Sequence, residues 1–359
     1  MRILFSALLL ALLTACGSDT GEPEGSQTAG SEATESRSSG AAEPAAAEPA
    51  RLVVYTSRQP HLIEPLFARY TRTTGIDIDY INDSEAALIE RLDAEGDQTV
   101  ADLFMTVDAG NLWHAAERGL LRPIESESLA NAVPEALRDE QGRWYGLSVR
   151  ARTVVFHPER VDAAELSTYE ALAEDAWSGR LCLRTSQKVY NQSLVAMLIE
   201  HHGEARTEEI VRGWVDNLAT EPFSSDTRLI EAVAAGQCDV GIVNSYYLGR
   251  KLAEDPGYPV ELFWANQDTT GTHVNVSGAG VTRHAPRPEA ARNLLEWLAS
   301  PEAQAEFALN NLEFPVDPDI EVRGPVREWG EFRADDTPLQ IAGERQAQAV
   351  KLMDRAGYR

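Results

Sequence analysis

Basic residues are in short supply. The chain sets 32 lysines and arginines against 57 acids, a formal charge of −25 over 359 residues. Such a chain repels phosphates, which excludes nucleic acid as a partner. The acids are spread along the whole length, a pattern that serves solubility and does not reveal the charge of a ligand. Catalytic motifs are also missing. There is no GxSxG elbow, no phosphate loop, no HExxH pair and no GxGxxG after a strand. The seven histidines are scattered. His201 and His202 adjoin at a helix end, where they serve as cap or dipole partners rather than as ligands of one metal. Carboxylates are so common that no pair stands out as a glycosidase pair.

Apolar runs of membrane-spanning length, about 18 residues, are absent after the opening segment. That opening reads MRILFSALLLALLTACGS. One basic residue, a short apolar core and small residues make residues 1–15 a secretory signal peptide. The small residues before Cys16 resemble the lipobox of bacterial lipoproteins, which implies that Cys16 is lipidated and anchors the protein to a membrane outside the cytoplasm, at the periplasm or cell surface. Residues 17–50 contain no Val, Ile, Leu or aromatic residue. They cannot bury enough apolar surface to offset ordering entropy, so residues 16–50 are read as an acidic tether. Folding begins near Arg51, and the remainder is long enough for two lobes.

Cysteine is scarce: Cys16, Cys182 and Cys238 are all there is. In an exported protein the remaining pair, Cys182 and Cys238, reads as a disulfide. Cys182 stands eight residues before Tyr190, and Cys238 eight before Tyr246. If both tyrosines sit at equivalent strand-to-helix junctions of neighbouring strands, the cysteines lie at similar depth and within bridging range.

Strands and helices alternate from the first folded residue. LVVYTS is a strand, and residues 61–75 form a helix with apolar positions 62, 63, 66, 67 and 70, closed by Gly75. IDIDYI alternates as a second strand, Ser84 caps the next helix, and ADLFMT is a third strand. RWYGLSVRARTVVFHP is a long extended crossover to the second lobe. There the pattern repeats through GRLCLRT, two helices from VYNQS to DNLA, a helix at TRLIEAVAAG, the strand CDVGIVN and a helix from the tyrosines. HVNVSGAGV is a strand returning to the first lobe, and the tail closes the fold with helices. This alternation indicates an α/β fold with parallel sheets. A signal, a tether and a two-lobed α/β body without a catalytic signature point to a solute-binding protein, not an enzyme.

Three stretches lie where strands end: TSRQPH, RTSQKVYNQS and VNSYYLGR. In open α/β sheets ligands bind beyond the carboxyl ends of the strands. Tyr190, Tyr246 and Tyr247 therefore fall in the turn or the first helical turn, where successive side chains differ by about 100° and can converge. Asn244 or Ser245 is positioned to cap the helix that carries the tyrosine pair.

These stretches, with VDAGNLW and GLSVRAR, closely resemble the ferric-ion-binding proteins of bacterial ABC importers, over residues 51–358. The resemblance implies a periplasmic-binding-protein fold: two lobes, each a mostly parallel sheet flanked by helices, joined by crossover hinge strands. Lobe 1 is then residues 51–147 and 273–321, and lobe 2 residues 148–272 and 322–359. It implies that Tyr190, Tyr246 and Tyr247 ligate Fe³⁺ as phenolates, and that a monomer delivers the ion to an inner-membrane permease and its ATPase. Fe³⁺ is a hard ion that favours anionic oxygen, and a bound cation favours the deprotonated phenol. The chain departs from many relatives after the first strand. Gln59 and Pro60 stand where those relatives have histidine and tyrosine, and proline cannot ligate. Relatives lacking these ligands complete the coordination with carbonate or bicarbonate. Arg58 and Gln59 are candidates to hold such an anion, His61 is a candidate replacement ligand, and Arg150 and Arg152 are candidates for anion contact or cleft closure. Two other readings stay open: the same fold serving another small solute (an anion, a polyamine or a thiamine-like compound), and a tyrosine-dependent enzyme with an arginine lowering a phenol's pKa.

Overall fold

A computed structural model of the chain describes residues 51–320, 322 and 325–359. The signal peptide, Cys16, the tether and the expected lobe boundary at residue 321 lie outside the described residues.

Strand β1 (Arg51–Thr56) is followed by α1 (Pro60–Thr74), β2 (Asp77–Asn82), α2 (Glu85–Glu95), β3 (Leu103–Thr106), α3 (Ala109–Glu117) and α4 (Glu127–Ala132). The helix ends follow their sequence signals. Pro60 opens α1, whose backbone needs no donor there, and Gly75 closes it at φ 74°, a conformation that costs glycine nothing. Ser84 accepts from Ala87 N and caps α2.

The long strand β4 (Tyr145–Phe156) is buried along its whole length. Beyond it come β5 (Leu181–Cys182), α5 (Val189–Asp216), α6 (Asp226–Ala234), β6 (Val240–Asn244), α7 (Ser245–Glu254), β7 (Glu261–Phe263) and β8 (Val274–Val281). Helices α8 (Pro288–Leu298) and α9 (Pro301–Asn311) and the tail helices α10 (Pro325–Glu328), α11 (Gln340–Glu344) and α12 (Gln346–Arg355) complete the chain. The two helices expected between VYNQS and DNLA join end to end as α5, broken at Gly203, whose φ of 75° and ψ of 163° are not helical.

The strands lie in the order β2-β1-β3-β8-β4-β6-β5, with β7 also paired to β4. β1 runs parallel to β2 and β3, and β5 runs parallel to β6. The two crossover strands run against their neighbours: β8 is antiparallel to β3 and β4, and β4 is antiparallel to β6 and β7. The sheet is thus mixed. Its parallel pairs sit at the two ends, where short βα units alternate, and its centre is made by strands that pass between the halves.

Apolar side chains segregate accordingly. Leu52, Phe104, Trp144, Val276 and Leu295 belong to one core. Phe156, Leu181, Val195, Trp214 and Leu352 belong to a second, and Leu229, Val233, Val243 and Leu248 to a third beside it. Val326 and Leu339 were expected with the second lobe but pack into the first core. The tail therefore serves both halves, because its apolar residues face whichever core it crosses.

Cys182 and Cys238 form a disulfide, with Cα atoms 5.9 Å apart. The expected equal depth is not what brings them together. Cys182 stands opposite Gly241 in the parallel register, so Cys238 precedes its level and lies in the turn before β6 begins.

Candidate functional site

The tyrosines stand at the starts of the helices that follow two neighbouring strands, α7 directly after β6 and α5 after a six-residue connection from β5. Tyr190 is the second residue of α5, and Tyr246 and Tyr247 are the second and third of α7. Asn244 occupies the N-cap position of α7, but its side chain makes no capping bond. It accepts instead from Arg152 Nη1 at 3.1 Å. Ser245 Oγ is buried without a hydrogen-bond partner among the described residues. The helix starts beneath the tyrosine pair, so the two rings lie side by side, centroids 4.3 Å apart, rather than on opposite faces of a strand. The Tyr246 hydroxyl donates to the Tyr190 hydroxyl at 3.5 Å.

All three phenols line one cavity of about 230 Å³. Ser57, Arg58, Gln59, Glu85 and Val107 enter it from the ends of β1 and β3 and from α2. Arg150, Arg184, Lys188, Arg250 and Glu313 complete the charged lining. Five cations against two carboxylates leave a surplus of three positive charges while the phenols are neutral. The cations crowd the rings. Lys188 Nζ is 4.6 Å from the Tyr190 centroid, and the guanidiniums of Arg150 and Arg184 are 5.3 and 5.5 Å away. Arg250, one helical turn after Tyr246, lies 5.1 Å from that ring and 5.8 Å from the Tyr247 ring.

Burial sets the resting protonation. Desolvation, reinforced by the neighbouring phenols, pushes the Tyr246 hydroxyl well above its ordinary value. Tyr247 is raised by the same desolvation, with Tyr190 and the Asp226 carboxylate adding to it and Arg184 opposing. An empty cleft therefore holds both as phenols, and a bound cation is needed to make them phenolates.

The other expected contacts divide. Arg58 is buried and committed: its Nη2 donates to Glu313 Oε2 at 3.0 Å, and Ser148 Oγ donates to the same oxygen at 2.6 Å. Its Nε has no partner. Glu313 directly follows Leu312, which ends α9 at φ 57°, a left-handed conformation uncommon outside glycine. Gln59 is exposed and lines the cavity. His61 is exposed on the first turn of α1 and is not among the residues lining the cavity. Arg150 faces the cavity, donating through Nη2 to Val276 O at 2.8 Å while its Nε is unpaired. Arg152 is not part of the lining. It is buried behind the tyrosine junctions, bonded to Asp226, Asn244, Asn191 and Ile242.

Sequence reasoning passed over Arg184, Lys188, Arg250, Glu85 and Glu313. The first two precede Tyr190 by six and two residues within the quoted stretch, and Arg250 follows Tyr246 at helical spacing, so local signals existed. Glu313 had none, being 255 residues from its partner Arg58.

A second buried carboxylate joins the halves. Asp108 caps α3 through Gly110 N, accepts from Ser193 Oγ on α5 at 2.8 Å, and accepts from Asn275 Nδ2 on β8 at 2.8 Å. Desolvation raises it to about 6 against these bonds.

A sequence profile described as bacterial extracellular solute-binding protein matches residues 98–334, well over half of the chain. Iron uptake protein A1 of Synechocystis is 42% identical over 318 residues, covering 87% of this chain and 88% of that protein. A solved structure of the Trichodesmium protein IdiA (FutA), in complex with iron and citrate, superposes with a TM-score of 0.82 at 42% identity, over 86% of this chain and all of that one. Apo FutA2 of Synechocystis gives a TM-score of 0.81 at 39% identity, over 87% of this chain and all of that one. The two-lobed α/β architecture is that of periplasmic binding proteins, and the chain belongs to the family of bacterial extracellular solute-binding proteins.

Proposed function

We propose that this protein captures ferric iron outside the cytoplasm and delivers it to an ABC importer. The observation that carries the reading is the convergence of Tyr190, Tyr246 and Tyr247 on one cavity between the two halves of the sheet. Three phenolates neutralise the charge of Fe³⁺ and offer it hard anionic oxygen. The iron-named relatives support the same cargo.

Charge counting gives the anion a role. Iron held by three phenolates is neutral, so the surplus of three positive charges in the lining remains. A carbonate-type anion answers part of it. Arg150 and Arg184, each with an Nε that has no hydrogen-bond partner among the described residues, offer donors from the second half. Arg58 offers only its Nε, since Glu313 and Ser148 hold its Nη atoms. Arg152 is not among the lining residues, and its Nη atoms serve the scaffold. Gln59 and Pro60 supply no first-strand ligand, Glu313 is held by Arg58 and Ser148, and the exposed His61 is not in the lining.

The lobes close as the ion binds, hinged on β4 and β8, and the closed form docks an inner-membrane permease with its ATPase. Lobe 1 comprises residues 51–147 and 273–321 and lobe 2 residues 148–272 and 322–359, with Val326 and Leu339 of the tail lent to the first core. The protein acts as a monomer tethered through lipidated Cys16, and it performs no chemistry on its cargo.

Incubation with ferric citrate and bicarbonate, followed by gel filtration and metal analysis, tests the reading. Stoichiometric iron retained by wild-type protein and lost from a Tyr190→Phe/Tyr246→Phe/Tyr247→Phe variant is the expected result. Equal retention by both refutes tyrosine ligation, and retention by neither refutes the cargo.

A further inference from the structure

Behind the tyrosines, outside the cavity, lies a fully buried carboxylate. Asp226 is the first residue of α6, and Ser225 caps that helix by accepting from Arg228 N. The carboxylate could have stayed in solvent at the helix end, where the dipole favours an acid. It turns inward instead. Asp226 Oδ2 accepts from the backbone N of Asn244 at 3.2 Å, so it holds the residue that ends β6 and stands at the N-cap of α7. The same oxygen accepts from Arg152 Nη1 at 3.1 Å. Its other oxygen, Oδ1, lies 3.6 Å from Arg184 Nη1, an ion-pair separation without a hydrogen bond.

Arg152 carries the connection onward. Its Nη1 also donates to Asn244 Oδ1, and its Nη2 donates to Ile242 O at 3.1 Å and to Asn191 Oδ1 at 2.6 Å. Asn191 follows Tyr190, and its Nδ2 donates to the carbonyls of Arg184 and Thr185, both at 2.9 Å. One guanidinium thus grips the junction that carries Tyr190 and the junction that carries Tyr246 and Tyr247. Asp226 compensates the charge of that guanidinium and anchors the second junction directly.

We propose that Asp226 is the positioning residue that sets the Tyr190 junction against the Tyr246–Tyr247 junction, and so fixes the spacing of the three phenol oxygens. This inference rests on the iron reading above. Groups behind metal ligands orient them, and a site assembled from two separate junctions depends on whatever ties those junctions together. An amide at position 226 has the right shape but turns a donor toward Asn244 N, Arg152 or Arg184, all of which are donors themselves.

The test compares wild-type protein with Asp226→Asn, Asn191→Ala and Asp239→Asn. Asp239 is a control: it pairs Arg160 and Arg180 just before β6 begins, at the end of that strand opposite Asn244. Three quantities are read: ferric affinity in competition with citrate, the position of the visible ferric–phenolate band, and thermal unfolding of the iron-free protein. Asp226→Asn and Asn191→Ala should each weaken ferric binding by roughly ten- to a hundredfold and move the band. Asp239→Asn should lower the unfolding temperature and leave affinity and band unchanged. A folded Asp226→Asn protein with wild-type affinity and band overturns the proposal. If Asp226→Asn does not fold, Asn191→Ala decides alone, and unchanged binding there overturns it. Wild-type protein that takes up no ferric ion overturns the iron reading and this inference together, whereas wild-type uptake with unaltered variants overturns the inference by itself.

Discussion

The hydroxyl of Tyr246 meets the hydroxyl of Tyr190 at 3.5 Å across 56 residues of chain. Both side chains leave the second position of a helix that follows one of the parallel neighbours β5 and β6: α7 begins directly after β6, and α5 begins after the six-residue connection 183–188. The start of α7 and the start of α5, reached by connections of different length, bring the phenols together. Four cationic groups, Arg150, Arg152, Arg184 and Lys188, lie within 6 Å of the Tyr190 ring centre, the farthest being Arg152 at 5.9 Å.

The buried pair of Arg58 and Glu313 makes a stability prediction. Removing one partner strands the other charge away from water. Glu313→Leu or Arg58→Met should each cost about 3–5 kcal/mol, and the double replacement should cost less than either single one. Urea unfolding of the iron-free variants measures this, with the coupling read from the cycle.

The disulfide closes a loop spanning 56 positions. Loop-closure entropy assigns such a bridge about 4 kcal/mol, through restriction of the unfolded chain. A Cys182→Ser/Cys238→Ser variant should unfold at correspondingly lower denaturant. At temperatures where it remains folded it should still bind iron, because neither sulfur reaches the cavity lining.

How much of this was legible beforehand depends on the reach of each signal. The tyrosine junctions, the cap at Ser84, the stop at Gly75 and the crossover strand were readable, since each is specified within a few neighbouring residues. β5 is shorter than the GRLCLRT run promised, only Leu181–Cys182. Its following residues instead bridge to Phe223 at Arg184, a tertiary choice that propensity does not encode. The contacts of Arg152 with Asp226 and of Arg58 with Glu313 join residues 74 and 255 positions apart. No pattern in a single sequence pairs such charges, so a reading of Arg152 as a candidate for anion contact or cleft closure carries no sign that its Nη atoms bond Asp226, Asn244, Asn191 and Ile242.

His273 predicts a pH dependence. It is buried beside Arg152, Arg150, His201 and Asp335, and desolvation lowers it from 6.5 to about 4. A base whose folded pKa is depressed binds fewer protons in the native state than in the unfolded one. Its contribution is full above the unfolded pKa and is lost as pH falls from about 6.5 toward 4, a change of about 3 kcal/mol. His273→Gln should flatten that part of the stability profile relative to wild type, as measured by denaturant unfolding at stepped pH. An unchanged slope would show that the imidazole is not held neutral in the fold.

The central claim is that phenolate oxygens of Tyr190, Tyr246 and Tyr247 hold the cargo. The most direct measurement is a visible absorption spectrum of iron-free protein titrated with ferric citrate in bicarbonate buffer, beside the Tyr246→Phe/Tyr247→Phe variant. The account predicts a charge-transfer band that grows to saturation with wild-type protein and fails to develop in the variant. A colourless wild-type titration, or an equal band in both proteins, would contradict it.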